Sequence, residues 1–231
     1  MFKLALLALS LLATTSALAA QVTVEVTNAT HGIYFTPLLV TAHDASTHLF
    51  EPGQTASANL QAMAEGGDIT GLLTDLGGED DDTVVNPAVG LLAPGVGTTA
   101  VLDTTASGNT HLSLVAMLLP TNDGFVGVDA VELPTAPGTY VYPLVGYDAG
   151  TEANDEQITG GGAPGVAGIP AAPGGDGGTD GSGVAAADTN GTVHVHRGTL
   201  GDTNPSGGAS DLDSRIHRWL NPVALLRLTV Q

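Results

Sequence analysis

The chain has 231 residues, of which 24 are acidic and five are basic, so its formal net charge at pH 7 is −19. Such a surface repels nucleic acids and anionic membranes and favours cations and cationic partners. A hydrophobic content of 42% argues against a disordered chain, and the absence of cysteine excludes thiol catalysis and thiolate metal sites.

The first 20 residues are predicted to be a secretory signal peptide. A single basic residue, Lys3, precedes an apolar run that ends in small residues around Ala17 and Ala19, which is the pattern of a cleavable export signal. The apolar run is too short for a good transmembrane helix. We therefore expect a secreted protein (periplasmic, cell-surface or extracellular) in which residues 21–231 form one domain.

The first part of the predicted domain combines strands with a helical excursion. Residues 21–30 alternate apolar and polar side chains, which predicts a strand, and residues 32–43 predict a second strand with a bulge or edge at Pro37. Apolar residues at helical spacing before paired glycines then predict a helix within 57–68 and a short helical turn within 69–78.

The middle of the chain predicts a series of further strands. The acidic run at 78–85 is typical of a solvated loop. Apolar and β-branched segments separated by turn residues then predict strands at 98–105, 111–120, 124–134 and 138–147. Their spacing favours an all-β fold, an antiparallel β-sandwich with a small helical element.

A long segment rich in glycine and proline follows, at 155–192. It has no strict triplet period, so it is not collagen-like, and its composition predicts a flexible loop. The strand candidates beyond it, within 192–200 and 221–231, are too few to fold alone. They must pair with the first part of the chain, so we interpret the segment as an insertion within one domain.

Two acidic turns are the strongest candidates for a binding site. Asp123 lies in NDGFVGV (122–128), and Asp148 and Glu152 lie in YDAGTEANDE (147–156). Antiparallel pairing of the flanking strands would bring the turns together, where the carboxylates would repel one another unless a cation were bound. Ligands that are all oxygens on a flexible loop favour Ca²⁺ over Zn²⁺ or Cu²⁺. The alternative is that both are ordinary solvated hairpin turns.

Two histidines offer a different metal-site hypothesis. In the predicted strand that contains HVH, His194 and His196 share one face, a spacing that metal sites use. A third ligand would have to come from elsewhere in the chain; the candidates are His31, His43, His111 and His217. This pattern would suit a secreted metalloenzyme. A third possibility is a structural surface protein whose acidic face serves solubility only.

Four stretches resemble the spondin N-terminal domain family, which is typified by F-spondin- and mindin-like proteins. They are VAMLLPTNDGFVGVDAVEL (115–133), YDAGTE (147–152), HRWLNPVALLRLTV (217–230) and AEGGD (64–68). The second is similar to the family's Asp-Ala-Gly-Thr-Asp loop, and the third to its closing strand. Outside the glycine-rich insertion, the resemblance extends over most of the chain.

The resemblance implies a non-enzymatic extracellular adhesion module with a β-sandwich fold and one bound calcium ion. Its partner would be an extracellular or cell-surface protein or glycan. The implied calcium ligands are Asp123, Asp148 and Glu152. The chain departs from the family at Glu152, which is longer than the usual Asp, and at Gly124, where the family often has an aromatic residue. It also lacks the cysteines of the animal proteins.

Overall fold

The structure, a computed structural model, describes residues 21–80, 82–184 and 191–231. The predicted signal peptide at 1–20 lies outside the described residues. The described chain contains ten strands: β1 (Gln21–Asn28), β2 (Tyr34–Phe35), β3 (Leu39–His43), β4 (Thr83–Val85), β5 (Gly97–Asp103), β6 (His111–Leu119), β7 (Gly124–Glu132), β8 (Gly138–Asp148), β9 (His194–Val195) and β10 (Ala224–Val230). Two short helices, α1 (Ala58–Gly66) and α2 (Thr70–Asp75), lie between β3 and β4.

All ten strands belong to one antiparallel sheet. Its main path runs β4-β3-β6-β7-β8-β10-β1-β5, while β2 pairs with β6 and β9 pairs with β8. The sheet curls until the two strands at the ends of this path, β4 and β5, contact each other. The all-β antiparallel fold predicted from the sequence is therefore confirmed. The C-terminal strands do pair with the first part of the chain, since β10 lies between β8 and β1.

The inner face of the curled sheet holds the main hydrophobic core. Strand β1 shows why the sequence pattern works: Val22, Val24 and Val26 are fully or almost fully buried, whereas Glu25 and Thr27 on the opposite face are exposed. Strand β10 supplies the same alternation from the neighbouring position. Residues two apart point to the same side of a strand, so alternating sequences bury one face and expose the other.

A second core lies on the opposite face of β6 and β7, beneath the helices. Helix α1 begins after Ser57, whose hydroxyl accepts a hydrogen bond from the Leu60 amide, and it packs Leu60 and Met63 against Met117 and Phe125. Strand β6 is therefore buried on both faces, with Met117 in this core and its neighbours along the strand in the main core. This explains why its sequence is a continuous apolar run, without alternation.

Two local predictions were incomplete. The acidic run at 78–85 is not only a solvated loop, because its last three residues form β4, which pairs with β3 and joins Thr83 to Thr41 through their hydroxyls at 2.9 Å. The β-branched Thr-Val-Val sequence suits a strand despite the acidic residues before it. The strand predicted at 32–43 is divided into β2 and β3, with Pro37 between them, because proline cannot donate to a sheet ladder.

The glycine-rich segment forms no helix or strand over the part that is described, as its composition predicts, but it packs against the rest of the domain. Ile169 is fully buried in the second core. Carboxylates hold its backbone: Glu65 accepts from the Gly165 amide at 2.6 Å, and Asp211 accepts from the Gly181 amide at 2.9 Å. In a chain with few basic residues, backbone N–H groups satisfy buried carboxylates instead.

The loop between β3 and α1 is attached to β7 through Asp129. One carboxylate oxygen, Oδ1, accepts a hydrogen bond from the Leu49 amide at 2.7 Å, and the other, Oδ2, lies 2.6 Å from Nδ1 of His48. The hydrogen bond to Asp129 raises the pKa of His48 above its usual value of 6.5, and the charge of Glu51 adds to this effect.

We expect His48 to titrate above pH 6.5 in the folded protein. Because its folded pKa exceeds its unfolded pKa, the pair stabilises the fold fully below pH 6.5, and this contribution is lost as the pH rises through the folded pKa. An NMR titration of the His48 ring measures this, and Asp129→Asn should return the pKa towards 6.5. A midpoint at or below 6.5 in the unaltered protein would contradict the expected pairing.

Within the described residues, no helix is both long enough and apolar enough to cross a bilayer.

Candidate metal centre

The two acidic turns predicted to converge lie at the same end of the β7–β8 hairpin. The register pairs Gly124 with Asp148, and the Ala149 amide donates to the backbone carbonyl of Asp123 at 3.2 Å. Asp123 therefore precedes the first residue of β7 while Asp148 ends β8. The antiparallel pairing inferred from the sequence is confirmed, and it brings these two residues together.

Asp123 is a fully buried carboxylate that is only half satisfied. Its Oδ2 accepts hydrogen bonds from the backbone amides of Thr151 at 2.8 Å and Glu152 at 3.1 Å. Its Oδ1 is buried and has no hydrogen-bond partner among the described residues. A buried carboxylate oxygen without a partner is costly, so a donor or a cation at this atom would remove part of that cost.

Asp148 lies beside Asp123 and is held by its own loop. Its Oδ1 accepts from the Gly150 amide at 2.8 Å, and its Oδ2 accepts from the side-chain amide of Asn154 at 2.6 Å. Gly150 has φ +70°, and a Cβ at this position would lie 2.5 Å from the carbonyl oxygen of Thr192. Both the left-handed backbone and this close approach require glycine here.

Glu152 is near the pair, but its carboxylate is directed partly towards other donors. Its Oε1 accepts from the side-chain amide of Asn122 at 2.9 Å and from the backbone amide of Gly168 in the glycine-rich segment. Its Oε2 is buried and has no partner among the described residues. The site therefore contains a second buried carboxylate oxygen that can accept a hydrogen bond or bind a cation.

Burial and mutual repulsion shift the protonation of these acids. The pKa of Asp123 is raised from 3.8 to about 7, chiefly by burial and then by the negative charge of Asp148, while the amides of Thr151 and Glu152 partly oppose the shift. Burial also raises the pKa of Glu152. A cation between the carboxylates would lower these pKa values, because its positive charge favours the ionised form of each acid.

The two histidines of the HVH stretch lie next to the acidic turn at 147–156. His196 is buried, its Nδ1 accepts from the Gly198 amide at 2.9 Å, and its Nε2 lies 3.2 Å from Oδ1 of Asn154. Burial lowers the pKa of His196 to about 3, with a smaller effect from the charge of Arg197. His194 places Nδ1 3.8 Å from Oδ1 of Asp148.

These contacts leave His196 no nitrogen lone pair for a metal. Since the Gly198 amide donates to Nδ1, the proton is on Nε2 and is donated to Asn154. Asn154 in turn donates to Asp148, so His196 orients the Asp148 loop. More generally, no group of three or more histidine or acidic side chains in 21–80, 82–184 and 191–231 is arranged to hold a metal ion. The observed carboxylates form a close pair with a third nearby.

Sequence reasoning did not predict the neutral residues that hold the acids in place. Asn122 contacts Glu152, Thr151 contributes the amide for Asp123, and Asn154 links Asp148 to His196. Asn122 and Asn154 both lie within the two acidic turns, so an asparagine beside each acid was the available signal. Which partner each amide would take depends on how the turns meet in space.

A profile of the Spondin_N family matches residues 27–157, more than half of the chain. The chain belongs to the Spondin_N family. No curated protein is significantly similar to it. The Spondin_N match includes both acidic turns and strands β2 to β8, and it ends at the start of the glycine-rich segment. The similarity noted at 217–230 lies outside the matched residues.

Proposed function

We propose that this Spondin_N protein is a secreted, non-enzymatic module that binds one calcium ion and takes part in adhesion or surface interactions. The proposed ligands are Asp123, Asp148 and Glu152. The observation that carries the proposal is the buried Oδ1 of Asp123, which has no partner among the described residues although it lies beside a second carboxylate.

The chemistry of the site fits a hard cation. Its charged donors are all carboxylate oxygens, and calcium takes six to eight oxygen ligands, including backbone and amide carbonyls, in a variable geometry. Zinc and copper favour nitrogen and sulfur ligands; the chain has no cysteine, and His196 has both ring nitrogens engaged. When bound, the ion would neutralise the repulsion between Asp123 and Asp148. The oxygens of Asp123 and Glu152 that have no hydrogen-bond partner would coordinate it.

Binding through Glu152 would require its carboxylate to turn. In the observed arrangement its Oε1 is engaged by Asn122 and Gly168, while Oε2 remains available. Calcium would thus connect the β7–β8 end of the sheet to the glycine-rich segment through Glu152. Such a link would make one end of the domain more rigid and offer a fixed surface to a partner.

The role in adhesion and the secreted location rest on several observations together. Family membership is consistent with an extracellular interaction domain that performs no chemistry, as the sequence resemblance implies. The predicted signal peptide would take the chain out of the cytoplasm. Outside the cell, millimolar calcium can fill weak sites. The partner is proposed to be an extracellular or cell-surface protein or glycan.

Calorimetric titration of calcium into EDTA-stripped protein tests the proposal. We expect one site with a Kd on the order of 0.1–1 mM, the range of extracellular calcium modules. Asp148→Ala should abolish the binding, because it removes half of the buried pair. The matched control is Glu79→Gln, which removes one negative charge from an exposed residue with no side-chain hydrogen bond among the described residues.

Three outcomes are informative. Loss of binding in Asp148→Ala but not in Glu79→Gln would establish the site. Equal heats in both variants would place any calcium elsewhere, and no heat in the unaltered protein would mean that the acidic turns bind no calcium in this affinity range.

A further inference from the structure

A cavity of about 380 Å³ lies outside the proposed calcium site, between the β3–α1 loop and the outer face of β7 and β8. Its walls include the aromatic residues Phe50 and Tyr147 and the acidic residues Glu51 and Asp129. None of the three proposed calcium ligands lines it, and neither does any lysine or arginine among the described residues. His48 also lines the cavity, where its ring is paired with Asp129. The cavity therefore combines aromatic surface with the carboxylate of Glu51 and the His48–Asp129 pair.

Packed aromatic rings hold the wall of the cavity in place. The ring centroids of Phe50 and Tyr147 are 4.8 Å apart, and both rings contact Phe125, which is fully buried, at 4.9 and 5.5 Å. Phe50 is only 5% exposed, so the half-buried Tyr147 supplies the accessible aromatic surface. A ring fixed in this way is a preorganised surface for a planar group.

The two acids of the cavity have different roles. The Asp129 carboxylate is already engaged by His48 and the Leu49 amide, but its charge still reaches Tyr147 and helps burial to raise the pKa of the phenol. Glu51 is exposed, and its carboxylate accepts no hydrogen bond within the described residues. Glu51 is thus the acid available to a ligand, while the charge of Asp129 is offset whenever its partner His48 is protonated.

The backbone beside the cavity is strained. Ala130, which lines the cavity, has φ +46°, in the left-handed region that side chains with a Cβ avoid. Its amide donates to the Ser113 hydroxyl at 2.8 Å, at a bulge in the β6–β7 pairing. Strained residues of this kind concentrate at ligand sites, where the surrounding structure maintains them.

We propose that this cavity binds the guanidinium group of an arginine side chain presented by a basic protein partner. A guanidinium is planar and weakly hydrated, so it stacks on aromatic faces while donating to carboxylates. Its N–H donors match the Glu51 carboxylate and the Tyr147 hydroxyl, and the overall charge of −19 attracts a basic partner from a distance. A neutral sugar would gain nothing from this long-range charge, which favours the cationic group.

An NMR titration with a capped tripeptide, acetyl-Gly-Arg-Gly-amide, tests the proposal at low ionic strength. We expect saturable shifts at the amides of Phe50, Glu51, Ala130 and Tyr147. The same peptide with citrulline, which is neutral and almost the same shape, should bind about tenfold more weakly, since loss of the charge removes the cation–π and carboxylate interactions.

Two variants and a control locate the binding. Glu51→Gln should weaken the arginine peptide by about 3- to 10-fold, and Tyr147→Phe by less, since it keeps the ring and removes only the hydroxyl. Glu79→Gln, which removes an exposed charge away from the cavity, should leave the affinity unchanged.

Some results would overturn the proposal. These are equal binding of the citrulline peptide, shifts that do not map to the cavity, unchanged affinity in Glu51→Gln, or tighter binding of a neutral oligosaccharide at the same residues. EDTA is present throughout, so this test does not depend on whether calcium binds at the acidic turns.

Discussion

Replacing Asp123 with Asn is expected to stabilise the calcium-free protein at pH 8 by about 2–4 kcal/mol. At this pH the native protein must hold Asp123 ionised, buried and beside the charge of Asp148. The asparagine keeps an oxygen to accept from the Thr151 and Glu152 amides, and it replaces the oxygen that lacks a partner with an uncharged NH₂ group. The same change should abolish calcium binding.

The direction of this stability change follows from the difference between the folded and unfolded pKa values of Asp123. The pKa of Asp123 is raised in the folded state from 3.8 to about 7, so between these values the native protein holds a proton that the unfolded chain has released. The stability of the unaltered protein therefore falls as the pH rises from about 4 to about 7, and the full penalty remains above that. In Asp123→Asn this part of the slope disappears.

Urea unfolding of both proteins in EDTA, at pH 5 and pH 8, measures the effect. The variant should be more stable at pH 8, and the difference should shrink at pH 5, where Asp123 is protonated in the native state. Glu79→Gln controls for the loss of one charge from a strongly acidic chain. An Asp123→Asn protein that is less stable than the unaltered one at pH 8 would show that the buried carboxylate carries no such penalty.

Phe125→Ala is expected to lower the free energy of unfolding by about 3–5 kcal/mol, as is typical when a large aromatic side chain is removed from a core. Phe125 is fully buried in the second core, where it contacts Phe50 and Tyr147. Because domains of this size are stable by only about 5–15 kcal/mol, the loss would be a large part of the total.

The stability of Phe125→Ala is measured by urea unfolding at pH 7, with Phe125→Leu as the matched control. Leucine refills much of the volume, so its cost should be well below that of alanine. A change of less than about 1 kcal/mol for Phe125→Ala would mean that the surrounding residues collapse into the space that the phenyl ring leaves. If the variant fails to express as folded protein, the intermediate cost of Phe125→Leu still measures how tightly this core is packed.

One strand connects the two proposed sites. Tyr147 directly precedes Asp148 in β8. Neighbouring residues on a strand point to opposite faces. Strand β8 can thus place Asp148 towards the proposed calcium site and Tyr147 towards the cavity.

The strands illustrate what the sequence determines through local periodicity. Val22, Val24 and Val26 alternate with polar residues, so only one orientation of β1 buries them, and the sequence alone predicts that orientation. The same reasoning predicted the β7–β8 pairing and hence the meeting of Asp123 with Asp148. These features follow from interactions between residues that are close in the chain or joined by one hairpin.

Partners that are distant in sequence were decided only by the tertiary structure. His196 meets Asn154 across 42 positions, and Gly165 meets Glu65 across 100. No periodicity encodes such pairs, because each depends on how separate loops pack after the sheet has formed. The histidines therefore suggested a metal site in the sequence, whereas in the fold His196 is a buried support for Asp148.

The sequence by itself determined the all-β class, the family and the acids that gather at one end of the sheet, because alternation, turn residues and short motifs act locally. Tertiary structure alone decided that Oδ1 of Asp123 is buried without a partner, that Glu152 contacts the glycine-rich segment, and that Glu51 lines an aromatic cavity. Burial and electrostatic environment belong to the assembled fold, since they depend on every segment that packs around a group.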